Sequence, residues 1–202
     1  MLSQSSEIRV VSETEAINGL LIAYLLYGLQ KKETLEQLDS IINAYRQPLN
    51  QEKYLIFKLT SWNVFMADLF QELYPSTKCF YIDRNTREVV KSLQQSNGGM
   101  QDWFDHPVDI LRQHFLGKRR IFNNKEEYLT CLIKQHRKQY VKFKNENLCL
   151  ITYPNFLDQF ETTILAHLNL KYSKQEIKKM KMEMNYYSKS YVKILYQDNK
   201  RL

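Results

Sequence analysis

The sequence predicts an α/β fold with a parallel sheet flanked by helices, and three observations carry that expectation. Short apolar runs rich in β-branched and aromatic residues recur at 8–11, 54–59, 79–82 and 148–152, as strands buried on both faces require. Between them, apolar residues return every three or four positions, the repeat of an amphipathic helix. The chain has 202 residues, of which 44% are hydrophobic and 13% aromatic. That suits one domain with a sizeable core and excludes wholesale disorder.

In chain order, the strand at 8–11 ends at Ser12 and Glu13, and a mainly apolar helix follows over 14–30. Glu13 and Glu15 at its start suit the helix dipole. A second helix over 33–45 carries Leu35, Leu38, Ile41 and Ile42 on one face and stops before Pro48. The strand at 54–59 leads into a helix over 62–73 with Trp62, Phe65, Met66, Leu69, Phe70 and Leu73 inward. The strand at 79–82 ends on Asp83, Arg84 and Asn85. Asn85 followed by Glu88 fits a capping box, and Val89, Val90 and Leu93 form the buried stripe of the next helix. Gly98 and Gly99 mark a loop, Pro107 suits the first turn of a helix over 108–115, and Gly117 ends it before the basic cluster Lys118, Arg119 and Arg120. A long polar helix is expected over 125–145, then the strand at 148–152, a helix over 158–170 and a final one opened by Ser173.

Cys79, Cys131 and Cys149 share no metal-like spacing and read as reduced core thiols, which implies a reducing compartment. Residues 1–9 are polar with no leading apolar block, so no signal peptide is expected, and the apolar run at 17–29 is too short to span a bilayer. A cytoplasmic location follows as the expectation. The net charge of +7 is concentrated at one end, since residues 171–202 hold nine Lys or Arg against three Asp or Glu. There Ile177, Met180, Met184, Tyr187, Tyr191 and Ile194 form an amphipathic stripe whose other sides are lysine-rich. Such a helix buries one face on its own domain or on a partner protein. A nucleic-acid role is the less expected reading of its basic and aromatic residues. The expected division is therefore an α/β domain over 1–170 and a basic helical extension over 171–202. His106, His114, His136 and His167 are scattered, so no metal site is expected.

Arg84 is the strongest candidate for chemistry. It falls at the carboxyl end of a strand, where open α/β sheets bind ligands, beside a helix amino terminus that favours anions. Ser92 lies about two turns further on. A strand-end Arg and a solvated helical Ser are equally consistent with these residues taken alone.

The segment 74–93 resembles the 3′-phosphate-binding segment of sulfotransferases, in which a strand ends in Arg-Asn-Pro or Arg-Asp-Pro and a Ser follows eight residues after the Arg. Arg84, Asn85 and Ser92 match in type and spacing, and Thr86 stands where Pro is usual. Residues 54–61 are similar to the preceding strand, with Lys58 at a position where the family often carries Lys, and Thr60 where cytosolic members often have a catalytic His. Residues 148–170 look like a later strand, Tyr-Glu-Asp-Leu and helix, with Tyr153 and Leu157 matching and Pro154 and Asn155 not. Residues 8–21 resemble the family's second strand and helix, with Glu13 at the strand end.

The resemblance implies a P-loop type parallel sheet and transfer of a sulfuryl group from 3′-phosphoadenosine 5′-phosphosulfate to a hydroxyl or amine of a small molecule or glycan. It assigns Arg84 and Ser92 to the co-substrate and Lys58 to the transferring group or leaving phosphate. Glu13 becomes the candidate base. Lys58 reads equally as a strand-end lysine reaching solvent, and Glu13 equally as a helix-start carboxylate. The family's first strand and its glycine-rich 5′-phosphosulfate loop have no counterpart among these residues, because Gly19, Gly28, Gly98, Gly99 and Gly117 form no loop between a strand and a helix start. Three expectations follow: weak or absent transfer, a non-catalytic binding protein as the alternative, and unpaired edges inside the sheet. Those edges are expected on the strand beginning at Ile8 and on the one beginning at Cys79 or Tyr54; either the flanking strands pair directly and close the gap, or the edges stay exposed and aggregate or recruit a protein partner.

Overall fold

The computed structural model describes residues 2–95, 103–105, 110–117, 121–153, 155–156 and 158–183. The expectations placed on 96–102, 106–109, 118–120, Pro154, Leu157 and 184–202 lie outside the described residues. A 3-10 turn at Leu2–Gln4 precedes β1 (Ile8–Ser12), α1 (Glu15–Tyr27), α2 (Lys31–Arg46) and β2 (Tyr54–Lys58). The helix expected at 62–73 begins as a 3-10 helix, Ser61–Met66, and continues as α3 (Ala67–Leu73). Then come β3 (Cys79–Asp83), α4 (Thr86–Gln94), α5 (Ile110–Leu116), α6 (Lys125–Phe143) and β4 (Leu148–Thr152). The helix expected at 158–170 is π-helical over Phe160–Leu165 before α7 (Ala166–Leu168), and α8 (Lys174–Glu183) closes the described chain.

The alternation gives an α/β fold, but not one sheet. β1 pairs with β2 and β3 with β4, each in parallel, and the described strands form no third pairing. Two layers nevertheless cover both pairs. On one face, Ile8, Ile56, Phe80, Cys149 and Ile151 from all four strands pack with Phe160, Ile164, Leu165 and Met180. On the other, Phe57 joins the core of α1, α2, α3 and α6, and Tyr81 of β3 stacks on Tyr140 of α6 with ring centroids 4.8 Å apart. α3 packs against α2, and α6 packs against the 3-10 helix and α4. Each strand is hydrogen-bonded to one described neighbour, so the strand at Ile8 has β2 as its single described partner.

α6 sets the level of the two halves. Its His136 ring meets Phe65, just beyond β2, at 5.2 Å between centroids, and Arg137 on the next position reaches Asp83 at the end of β3. The carboxyl ends of β2 and β3 thus lie against one turn of α6. At the other end, Gln71 of α3 donates to the Phe143 carbonyl at 2.8 Å. The stripe that does this is Tyr128, Leu129, Leu132, Ile133, His136 and Tyr140, all buried, and each large apolar side chain among them contributes roughly 1.5 to 3 kcal/mol of burial.

Three smaller expectations change. Cys131 is buried, but Cys79 is exposed and Cys149 only half-buried, each on a strand with a single described neighbour; all three are free thiols. Burial of the sulfur itself still pushes the Cys79 thiol up from its ordinary value. Asn85 caps α4 by accepting from the Arg87 N–H at 3.0 Å, but Glu88 turns away from the cap to pair with Arg84, so no capping box closes. In the tail, Met180 is buried against the domain itself.

His136 is 4% exposed and its Nε2 has no partner. Burial pushes its pKa down from 6.5 to about 4, so the folded protein holds a neutral ring where the unfolded chain takes up a proton. Stability is full above pH 6.5 and falls as pH drops toward 4, by on the order of 3 kcal/mol for this group. Urea midpoints measured at pH 7 and pH 5 should separate by clearly less in His136→Phe than in the parent protein; an equal separation would remove His136 as the cause.

Candidate functional site

The charged residues singled out in the sequence gather at the carboxyl edge of the strands, in two clusters. The first joins β1 to β2. Ser12 and Lys58 are in register, the Glu13 N–H donates to the Lys58 carbonyl at 2.7 Å, and Lys58 Nζ lies 2.7 Å from Glu13 Oε1. The two residues expected to act as base and cation are therefore an ion pair, partly open to solvent. Glu13 sits at φ 47, a left-handed backbone that a non-glycine residue adopts at a cost of about 1 kcal/mol or more. The strain turns the chain out of β1 and points the carboxylate across to β2.

Behind this pair, Thr60 Oγ1 lies 2.7 Å from Asn63 Oδ1 and 3.0 Å from Asn18 Oδ1, and Asn63 Nδ2 donates to Asn18 Oδ1 at 3.2 Å. Asn63 is buried. The network ties the start of α1 to the 3-10 helix and fixes the loops on which Glu13 and Lys58 stand. Thr60 is a structural anchor here.

The second cluster is built on Arg84, the first residue after β3. Its Nε donates to Glu88 Oε2 at 2.9 Å and its guanidinium lies over the Tyr153 ring, 4.6 Å from the centroid. Tyr153 follows β4 and stacks on Phe156 at 5.6 Å. Ser92 is four residues beyond Glu88 in α4, so Glu88 and Ser92 share the helix face that continues the line from Arg84. The structure thus brings together Arg84, Glu88 and Tyr153 and sets Ser92 on the same stripe.

Arg137 is the residue that sequence reading missed. Its Nε donates to Asp83 Oδ1 at 2.9 Å, one Nη to the Thr86 hydroxyl at 2.7 Å and the other to the Arg84 carbonyl at 2.7 Å. It clamps the turn that presents Arg84. Thr86 supplies a hydroxyl acceptor, which a Pro at this position would lack. The signal was available: Arg137 lies four residues after Ile133 and three before Tyr140, so a cation interrupts the inward stripe of α6.

Among the described residues, no three His, Cys, Asp or Glu side chains converge on a metal-sized space, and no helix is long and apolar enough to cross a membrane.

Replacing Arg137 by Ala leaves the half-buried Asp83 carboxylate and the Thr86 hydroxyl without their donor. Urea unfolding should show a loss of about 1 to 3 kcal/mol. Arg137→Lys should recover only part, because an ammonium cannot span three acceptors with a planar fork. Parent-like stability of Arg137→Ala would show that the clamp carries no load.

No family model matches this sequence, and no curated protein and no solved structure is significantly similar to it.

Proposed function

We propose that the carboxyl edge of β3 binds the 3′-phosphate of an adenosine bisphosphate nucleotide, as the co-substrate half of a sulfotransferase-like site. The observation that carries this reading is the setting of Arg84. A strand-end guanidinium lies over the Tyr153 ring beside the amino terminus of α4, and the Arg84 carbonyl is clamped by Arg137. A phosphate arriving there competes with Glu88 for the guanidinium and gains the charge-assisted, paired hydrogen bonds that carboxylates and phosphates both make with Arg. Ser92 supplies a further hydroxyl along the same stripe.

The donor in this reading is 3′-phosphoadenosine 5′-phosphosulfate, and the acceptor is a hydroxyl or amine of a small molecule or glycan. In transfer, Glu13 takes the acceptor proton, the acceptor oxygen or nitrogen forms a bond to sulfur, and the bond from sulfur to the 5′-phosphate oxygen breaks, releasing adenosine 3′,5′-bisphosphate. Lys58 steadies the leaving phosphate. Both roles require the Glu13 and Lys58 ion pair to open, and the sequence holds no glycine-rich loop to cradle the phosphosulfate. Each lost preorganised donor costs on the order of 100-fold in rate. The closed ion pair favours a second reading, in which the same edge binds the nucleotide without turning it over.

Calorimetric titration with adenosine 3′,5′-bisphosphate should show saturable binding, at least tenfold tighter than adenosine 5′-monophosphate. Arg84→Ala should weaken it tenfold or more, and Ser92→Ala by less. Equal affinity for the two nucleotides, or no effect of Arg84→Ala, would end the proposal. With labelled donor and a panel of phenols, sugars and amines, turnover is expected to be negligible. Robust turnover abolished by Arg84→Ala would decide for the enzyme over the binding protein.

A further inference from the structure

The outer surface of α4 and α6 carries cations that no described acid neutralises. Residues 128–145 hold Lys134, Arg137, Lys138, Lys142 and Lys144 and no Asp or Glu. Arg137 turns to the start of α4, whereas Lys134, Lys138 and Lys142 are exposed and recur every four residues along the outer side of α6. On α4, Arg87 and Lys91 repeat that spacing and are exposed too, while Glu88 is engaged by Arg84. The two helices pack against each other, and Arg137, which lies between Lys134 and Lys138 in the chain, donates to the hydroxyl of Thr86, the residue before Arg87. The two rows therefore lie side by side on one helical layer. Like charges four residues apart destabilise a helix. Elsewhere in the fold an acid relieves such charge, since Lys31, Lys53, Lys58, Lys125 and Lys181 each meet a Glu or Asp. Among the described residues no ion pair engages Arg87, Lys91, Lys134, Lys138 or Lys142. Two self-repelling rows on packed helices are an arrangement that a bound polyanion relieves.

We infer that the row of Arg87 and Lys91 and the row of Lys134, Lys138 and Lys142 bind the phosphate backbone of a double-stranded nucleic acid without reading its sequence. Each step of four residues advances about 6 Å along a helix, so the longer row spreads its charge over about 12 Å. A duplex carries a negative charge for about every 1.7 Å of its axis, and each phosphate neutralised releases a condensed counterion, a gain that a lone anion does not supply. The surroundings of the rows choose among polyanions. No exposed aromatic ring stands in either row to stack an unpaired base, and Phe143 is half-buried beneath the Lys142 ammonium, so a single strand finds no platform. Val141 is exposed among the lysines, but the apolar stripe of α6 is buried in the domain, which leaves no amphipathic face to enter a lipid surface. Lysine, a point charge on a flexible stem, suits phosphate contacts that position a duplex and carry no sequence information. The inference is independent of the nucleotide reading, since it uses neither Arg84 nor Ser92.

The test uses the full chain and fluorescein-labelled DNA duplexes of two unrelated sequences, with anisotropy read from roughly 50 to 200 mM salt. Both duplexes should bind saturably and alike within threefold, with log affinity falling on log salt at a slope of about −4.5, one phosphate for each of the five cations. Lys134→Gln, Lys138→Gln and Lys142→Gln combined should weaken binding at least tenfold and make the slope shallower by about 3, and Arg87→Gln with Lys91→Gln should make it shallower by about 2. Both sets remove like-charge repulsion, so their melting temperatures by circular dichroism should hold or rise, which separates lost contacts from a lost fold. Replacing Lys189, Lys193, Lys200 and Arg201 by Gln, a comparable loss of charge in the basic tail, should change affinity less than threefold. Absence of saturable binding would overturn the inference, as would a loss in the tail variant that matches the loss in the α6 set. Tighter binding of a single strand than of the duplex would overturn it as well. So would phosphatidylserine vesicles or a polyglutamate peptide held by the same lysines when the duplex is not, and the face would then belong to a membrane or to an acidic protein.

Discussion

No main-chain hydrogen bond joins β2 to β3 among the described residues, so the relation between the two halves of the fold rests on side-chain packing, and α6 carries most of it. Its inward stripe meets the 3-10 helix after β2 through His136 and β3 through Arg137 and Tyr140. Hydrogen-bonded ladders fix strand register by direction and spacing, whereas packed side chains fix it by volume and tolerate small shifts. The internal order of each pair is therefore set more firmly than the placement of one pair against the other. The apolar layer on the opposite face adds a second, non-directional tie.

The carboxyl edge follows from the same arrangement. Each pair ends in its own charged cluster, Glu13 with Lys58 on one side and Asp83, Arg84, Glu88 and Arg137 on the other. Within each cluster charge is compensated locally. The two clusters differ in what holds them. The first stands on a strained backbone and a Thr60, Asn63 and Asn18 network, with both charged groups near solvent. The second is half-buried, and Arg137 is engaged by three acceptors, so Arg84 is presented by a turn that cannot easily relax. In the proposed reading, a phosphate reaching the second cluster would meet a preorganised cation, which lowers the ordering cost of binding.

The order and kind of the elements were legible in the sequence because each is specified locally. The strand beginning at Ile8 and its partner beginning at Tyr54, the helix stripe of Leu38 and Ile42, and the placement of Arg84 after a strand all follow from alternation, periodicity and a short breaker. Edge pairing was not legible, since which strands meet is a nonlocal outcome that the residues of β2 and β3 share with any buried strand. The same gap explains Cys79: a thiol in an apolar run reads as core, and only the missing neighbour leaves it exposed. Glu88 was read as half of a capping box because sequence spacing cannot rank a backbone N–H against a guanidinium four residues away, and the charged donor prevails. Arg137 was hidden in a helix whose polar residues outnumber its apolar ones, although its place on the inward stripe marked it.

The central claim is that β2 and β3 do not pair with each other and that each is bonded along one edge only among the described residues. Amide hydrogen exchange on the monomer measures this directly. The amides of Ile56 and Tyr81 point into the ladders with β1 and β4, and those of Leu55, Phe57, Phe80 and Ile82 point away from them. The account predicts that the second set exchanges at least roughly 100-fold faster than the first, since an unbonded amide needs no opening event to exchange. Equal protection of the two sets in a monomer would contradict it, because those four amides would then already have partners.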